Sequence, residues 1–234
     1  MDITGSVALV TGANRGLGRQ FAQQLLERGA AKVYATSRRP ELVDVPGVEV
    51  LPLDVTDPES VAAAAAAAGD VTLVVNNAGI TTGSNLVTGD LTEIRREMDT
   101  HFFGTLGVVR AFAPTLARNG GGAIVNVLSA LSWFSYDGAN AYAAAKAAAW
   151  SLTNGVRLEL TGHGTQVTGV VLGAADTDMM AGYTGPMSAP ADVVRAALDG
   201  VQAGDWEVLV DDWSRGVKAS LAADPREFYS RPAV

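Results

Sequence analysis

The chain contains no cysteine, which excludes a disulfide framework, a thiolate metal site and a cysteine nucleophile. Histidine is nearly absent as well. His101 and His163 are the only two, too few for a multi-histidine metal centre, so no metal is expected. Positive charge is in short supply: 17 basic residues face 25 acidic ones, for a net charge of −8. A duplex nucleic-acid binder shows the opposite balance or a dense basic stripe, and neither is present. No apolar run approaches the roughly 18 residues of a membrane span. The start, Met1-Asp2-Ile3-Thr4-Gly5, lacks the basic opening and apolar stretch of a secretory signal. A soluble, cytoplasmic protein with neither nucleic acid nor membrane as partner is therefore expected.

Hydrophobic residues make up 48% of the 234 positions and charged residues 18%, a balance that favours an ordered core over disorder. Apolar strand-like runs at 7–10, 32–36, 48–53, 71–75, 123–128, 166–172 and 206–210 alternate with helix-like stretches. Helices are predicted over 20–28, over 58–68 with Asp57 as N-cap and Pro58 in the first turn, over 91–118 as one helix or two, over 139–160, and over 191–203. Strands alternating with helices imply right-handed crossovers and a parallel sheet. No linker and no repeat interrupts the pattern, so residues 1–234 are read as a single α/β domain.

Thr11-Gly12-Ala13-Asn14-Arg15-Gly16-Leu17-Gly18 lies between the first strand and the first helix. Glycines there let the backbone turn sharply, and the unpaired N–H groups of the helix start suit a pyrophosphate. Further along come Asn76-Asn77-Ala78-Gly79 after the fourth strand, Ser129, and Tyr142-Ala143-Ala144-Ala145-Lys146. Tyr142 and Lys146 are one helical turn apart and share a face.

With these four motifs in order, the chain resembles the compact short-chain dehydrogenase/reductase family. The turn fits TGxxxGxG, the second motif fits NNAG, the third fits YxxxK, and Ser129 precedes the tyrosine at the family spacing. The resemblance implies a Rossmann-like doubly wound parallel sheet of about seven strands, with helices on both faces. It implies catalytic roles for Ser129, Tyr142 and Lys146. It also implies cofactor contacts from Gly12, Asn14, Arg15, Gly16, Leu17, Gly18, Asp54, Val55, Asn77, Ala78, Gly79, Tyr142, Lys146 and Thr177. Asp54 could equally be a turn or cap residue. A homodimer or homotetramer is the family's habit.

Cofactor choice follows from charge. An NAD site usually carries an acid about 20 residues after the glycine turn. Here the second strand ends Ala35-Thr36-Ser37-Arg38-Arg39, with no acid before Glu41. The Ser37 hydroxyl and the Arg38 guanidinium suit a 2′-phosphate, so NADP(H) is expected. Arg15 would be a second cation. The expected chemistry is reduction of a ketone or aldehyde, apolar or aryl, or oxidation of the matching alcohol, with Tyr142 as general acid/base. A nearby Lys146 ammonium and an oxidised nicotinamide both favour the phenolate, so the lysine is expected to bring the phenol toward the working range. Two other classes stay open: a non-redox enzyme on the same scaffold (dehydratase, cyclase or epimerase) and a nucleotide-sensing binding protein.

Three positions depart from the family pattern. His101 stands where an asparagine holds a relay water, and either joins the proton relay or is an ordinary helix histidine satisfied by a carbonyl. Leu172-Gly173 replaces Pro-Gly before Thr177, which predicts a less rigid loop. Ala145 replaces a serine, with little expected effect. Leu131, Trp133, Phe134 and Tyr136 follow Ser129 closely and are candidate walls of the substrate site, as are the methionines of the 178–189 loop. Trp150 is expected to pack, and His163 to be exposed.

Overall fold

A computed structural model describes residues 1–230. Seven strands form one parallel sheet: β1 (Val7–Thr11), β2 (Lys32–Ser37), β3 (Glu49–Pro52), β4 (Leu73–Asn76), β5 (Gly122–Val127), β6 (Thr165–Val171) and β7 (Glu207–Leu209). Their order is β3-β2-β1-β4-β5-β6-β7, and every pairing is parallel. The helices are α1 (Gly16–Glu27), α2 (Pro58–Ala67), α3 (Leu91–Met98), α4 (Thr105–Arg118), α5 (Asn140–Leu160), α6 (Pro190–Ala203), α7 (Asp212–Ser220) and α8 (Pro225–Tyr229).

Strand side chains alternate between the two faces. On one face Ala8, Val10, Val33, Leu73, Val75 and Val125 meet Phe21 and Leu25 of α1 and Val194 and Leu198 of α6. On the other, Leu9, Tyr34, Val74 and Ile124 meet Val61 of α2, Phe112 and Leu116 of α4, and Val156 of α5. Both faces are covered, which is why the strands read as continuous apolar runs. This is the Rossmann-like, doubly wound single-domain sheet expected. Strand order reverses between β1 and β4. Connections leaving those two strands diverge, and a crevice opens at their carboxyl ends. Among the described residues, no helix is long and apolar enough to cross a membrane.

Three local features differ from expectation. The stretch over 91–118 is one helical rod in which Asp99–Gly104 winds as a π-helix between α3 and α4. A Cβ at Gly104 would lie 2.9 Å from Val55 Cγ2, so the rod packs closely on the loop after β3. Second, α1 starts at Gly16 rather than 20, inside the glycine-rich motif itself. Third, two helices follow the last strand. Asp211 caps α7 and Asp224 caps α8, with Pro225 in its first turn. The same Asp-Pro start was legible at Asp57-Pro58, where Asp57 does accept the Glu59 N–H.

A buried polar ladder ties the central strands to α5. Asn76 Nδ2 donates to Asn126 Oδ1 at 2.9 Å, and Asn126 Nδ2 donates to Thr153 Oγ1 at 2.9 Å. Thr153 in turn donates to the Ala149 carbonyl at 2.8 Å. The ladder fixes the helix that carries Tyr142 and Lys146 against β4 and β5. Replacing Asn126 by alanine leaves Asn76 Nδ2 without an acceptor and takes one donor from Thr153, and should cost about 1–3 kcal/mol. Urea unfolding reads this as a lower midpoint with an unchanged slope.

Candidate active site

Strand ends bring the sequence-predicted residues to one side of the sheet. The glycine-rich turn leaves β1, Asn77-Ala78-Gly79 follow β4, Ser129 follows β5 and Thr177 follows β6. Gly12 and Gly16 have φ of +67° and +53°, values that L side chains rarely adopt. A Cβ on Gly18 would lie 2.1 Å from the Gly12 carbonyl oxygen, so α1 can begin only with glycine there. Arg15 is the N-cap of α1 but makes no side-chain capping bond, and the first turn holds no acid. Asn14 and Leu17 complete the turn around these N–H groups. Thr177 sits directly over it, with its Cγ2 3.2 Å from where a Gly16 Cβ would be.

Asn77, just after β4, lies against the turn, and its side chain braces it. Its amide nitrogen donates to the Thr11 and Gly12 carbonyls at 2.9 and 3.2 Å. Both amide hydrogens therefore hold the turn itself. Thr11, which the motif reading passed over, completes the brace: its Oγ1 accepts from the N–H groups of Asn77 and Ala78 at 2.9 and 3.0 Å.

At the end of β2, Ser37 is buried and its Oγ accepts from Arg39 N–H at 3.1 Å, while Arg38 and Arg39 are exposed. Arg15 reaches across to Asp178 at 3.1 Å. That pair is about two-thirds exposed, and surface pairs of this kind contribute only about 0–1 kcal/mol. Asp54 behaves as a turn residue: its Oδ1 accepts from Thr56 N–H and Oγ1 at 2.9 and 2.7 Å. Its neighbour Val55 packs on Gly104.

Ser129, Tyr142 and Lys146 do come together. Ser129 is buried, and its Oγ accepts the Leu131 N–H at 3.1 Å. Lys146 is buried; its Nζ donates to the Val127 carbonyl at 2.9 Å and lies 5.5 Å from the Tyr142 ring centroid. In the nucleotide-free protein the balance runs toward the neutral phenol. Burial first, and the Glu97 carboxylate second, push the Tyr142 phenol above its ordinary range, against the opposing hydrogen bond of Ser129. Burial also pulls Lys146 down from 10.5 to about 8, against the pull of Glu97. In the protein alone the amine yields to burial rather than acidifying the phenol, because desolvation disfavours the charged form of both groups.

His101 is buried at the π-helical segment. Its ring meets Tyr142 edge to face at 5.1 Å, and its Nε2 lies 2.8 Å from the Ile80 carbonyl. Nε2 is also 3.2 Å from Oε2 of Glu97, a carboxylate with no exposed surface. Sequence reasoning missed Glu97, because a glutamate in Thr92-Glu93-Ile94-Arg95-Arg96-Glu97 reads as part of a solvated face. The signal that could have found it is its place one turn before the unusual His101.

The loop after β6 is not slack, contrary to expectation. Leu172 is buried with Ala175 and Val193, and Asp211 Oδ2 accepts the Gly173 N–H at 2.7 Å. Packing and a carboxylate anchor do what proline's fixed dihedral does elsewhere. A bridge between Ala175 and Ser188 closes the base of the following loop, on which Met179 and Met187 are exposed. Of the expected walls, Trp133 packs with Leu128, Ala149 and Val171, its ring edge-on to Trp150, and borders the same groove as Leu131 and Phe134. Leu131 and Phe134 line a groove of about 240 Å³ with Leu86, Ala143, Ala144 and Tyr229, a set without Ser129 or Tyr142. Tyr136 is half-exposed and close enough to raise the Tyr142 phenol. His163 is exposed. Among the described residues, no three His, Asp or Glu side chains cluster as a metal site.

Comparison with known proteins gives this geometry its class. Residues 6–186 match the model of the short chain dehydrogenase family. A curated oxidoreductase of Staphylococcus aureus strain MW2, described only as uncharacterized, is 32% identical over 77% of this chain and 83% of its own. An NADPH-dependent 1-acyldihydroxyacetone phosphate reductase of Schizosaccharomyces pombe is also 32% identical, over 77% of this chain and 63% of its own. A short chain dehydrogenase from Burkholderia cenocepacia, crystallised with NADP, superposes with a TM-score of 0.94. It is 40% identical and covers 99% of this chain and 98% of its own. The chain belongs to the short-chain dehydrogenase/reductase family and is an oxidoreductase of that class.

A buried amine with a depressed pKa leaves a signature in stability. Unfolded, Lys146 takes up its proton near 10.5; folded, near 8. Below pH 8 the fold therefore carries the whole cost of charging it, and that cost fades as pH rises from 8 to 10.5. Lys146→Met should stabilise the nucleotide-free protein at pH 7 by about 1–3 kcal/mol, after allowance for the orphaned Val127 carbonyl. Thermal or urea unfolding across that pH range should show the gain shrinking to nothing.

Proposed function

We propose that the protein is an NADP(H)-dependent carbonyl reductase. It interconverts a small ketone or aldehyde, apolar or aryl, with the corresponding alcohol. The observation that carries the reading is the meeting of Ser129, Tyr142 and Lys146 beside a glycine cradle at the strand-order reversal.

The residues present fit the nucleotide. The α1 N-terminus is uncapped and free of acids, whereas α2, α3, α7 and α8 are each capped by an aspartate. Gly12, Gly16 and Gly18 leave a backbone cradle that a Cβ would fill, so the diphosphate would lie against the N–H groups of 14–18. Arg38, exposed and with no hydrogen bond or ion pair among the described residues, would hold the 2′-phosphate with Ser37. Arg15 would join them on leaving its weak pair with Asp178. Ala78, Gly79 and Thr177 would border the nicotinamide end, and Asp54 and Val55 the adenine end. Two relatives support the phosphate: one is named for NADPH and one was crystallised with NADP.

When bound, NADPH supplies the hydride. The protein supplies the proton and the positions. Ser129 hydrogen-bonds the substrate carbonyl oxygen, and Tyr142 donates its phenolic proton to that oxygen. In the free protein the phenol is held firmly protonated, the state a reductase needs before the reaction. Lys146, held at the Val127 carbonyl, provides the positive charge that favours the phenolate left behind. Tyr136, beside Tyr142, with Phe134 6.3 Å away, offers aromatic surface to an aryl group. A small-molecule substrate and a homodimer or homotetramer complete the reading.

Two substitutions test it. Tyr142→Phe should bind NADPH within about threefold of the wild type while the oxidation of NADPH by aryl ketones, followed by absorbance, falls by about 10³-fold or more. Binding without oxidation in the wild type would instead favour a non-redox enzyme or a sensor. Arg38→Ala should weaken NADPH about 10–100-fold and leave NADH almost unchanged, since it removes one charge-assisted bond to the phosphate.

A further inference from the structure

Glu97 is a buried carboxylate that neither the proposed proton donation nor nucleotide binding uses. It has no exposed surface, and its Oε1 accepts the Thr82 N–H at 2.6 Å. Its Oε2 lies 3.2 Å from His101 Nε2, a charge-pair distance, and accepts no hydrogen bond among the described residues. A carboxyl group buried this deeply needs polar neighbours, and beside the Thr82 N–H the one at hand is an imidazole one helical turn away.

The surroundings decide the tautomer of that imidazole. Nε2 lies close to two acceptors, the Ile80 carbonyl at 2.8 Å and the Glu97 carboxylate at 3.2 Å, so it must carry the hydrogen. The Ile80 N–H also approaches the same nitrogen, but at the longer distance of 3.4 Å. Nδ1 is then a bare lone pair. It is buried and has no partner. That edge of the ring faces Gly79, where a Cβ would lie 2.8 Å from Cε1 and 3.5 Å from Nδ1. A bare imidazole nitrogen, aimed at the backbone of the second glycine motif and backed by a carboxylate on its other nitrogen, is the arrangement of an oriented base.

We propose that Glu97 and His101 act as one proton-holding dyad behind Tyr142, Glu97 being the positioning residue that fixes the imidazole with Nδ1 open. The proposal rests on the reductase reading above. During carbonyl reduction the hydride goes to the carbonyl carbon and the Tyr142 proton to its oxygen, leaving a phenolate. His101 takes a solvent proton on Nδ1, and Glu97 balances the resulting imidazolium. That proton then restores the phenol, so each turnover consumes one hydride and one solvent proton. The charged and titratable groups facing the imidazole are Glu97 on its own helical rod and Lys146 and Tyr142 from α5, with the neutral Ile80 carbonyl from the loop after β4. Burial and Lys146 lower the imidazole's affinity for a proton, and Glu97 works against them. Removing Glu97's charge should therefore leave the ring harder to protonate.

Two readouts test this. The first is independent of turnover: ¹⁵N NMR of histidine-labelled protein, assigned by His163→Gln, should show His101 neutral with hydrogen on Nε2. In Glu97→Gln its protonation midpoint should fall by about one unit. The second is kinetic: Glu97→Gln should lower kcat about tenfold or more, shift the pH–rate profile, and change KM less than about threefold. Adding His101→Asn should cost little further, because the two act as a unit. A ring protonated on Nδ1, or a Glu97→Gln enzyme with wild-type kcat and pH profile, overturns the dyad while the reductase reading stands. If Glu97→Gln fails to fold, the tautomer in the wild-type protein still decides. A wild type that binds NADPH but never oxidises it overturns the reductase reading, and the dyad's part in turnover with it.

Discussion

An ammonium group held where water cannot solvate it is the constraint around which this molecule is arranged. Lys146 lies beneath Tyr142 with one carbonyl oxygen, that of Val127, as its hydrogen-bond partner. Such a group is expensive to charge, and its pKa is drawn down to about 8. It persists because α5 is fixed to β4 and β5 by the buried Asn76–Asn126–Thr153 ladder and packed by Leu152 and Val156. The stability given up at Lys146 is recovered in the apolar layers on the two sheet faces. Natural sites commonly trade stability for function in this way.

The same economy of placement shapes the nucleotide end. Three glycines remove side chains from the turn, and Thr11 and Asn77 then brace what would otherwise be a loose segment. Across the crevice, Leu172 and Asp211 hold the loop carrying Thr177. Each device leaves backbone N–H groups or open space facing the crevice, and each draws its rigidity from side chains that bond or pack against neighbouring backbone. Residues that touch a ligand and residues that hold them are largely different sets.

That division explains what could be read from the sequence. The parallel sheet, its seven strands and the meeting of Ser129, Tyr142 and Lys146 were legible, because apolar periodicity and helical spacing are local properties. Asp57 and Pro58 announced α2 for the same reason. Glu97, Asp211 and the bracing role of Asn77 were not, because each depends on a neighbour distant in sequence or on burial. Glu97 meets Thr82 from 15 positions away, and Asp211 meets Gly173 from 38. A π-helical turn is likewise silent in a pattern scored at 3.6 residues per turn. The direction of the Tyr142 shift in the nucleotide-free protein was not legible either. Spacing shows that an amine is near, but not how deeply each group is set in the protein.

The account depends most on that last quantity, the protonation of the Lys146–Tyr142 pair before and after nucleotide binding. NMR titration of protein labelled at lysine side-chain nitrogen and tyrosine ring carbon measures it directly. The nucleotide-free protein should show Lys146 titrating near 8 and Tyr142 still protonated above its ordinary 10. Saturating NADP⁺ should then lower the Tyr142 midpoint, since the oxidised ring brings positive charge. A Lys146 that titrates near 10.5, or a phenol indifferent to NADP⁺, would contradict the account.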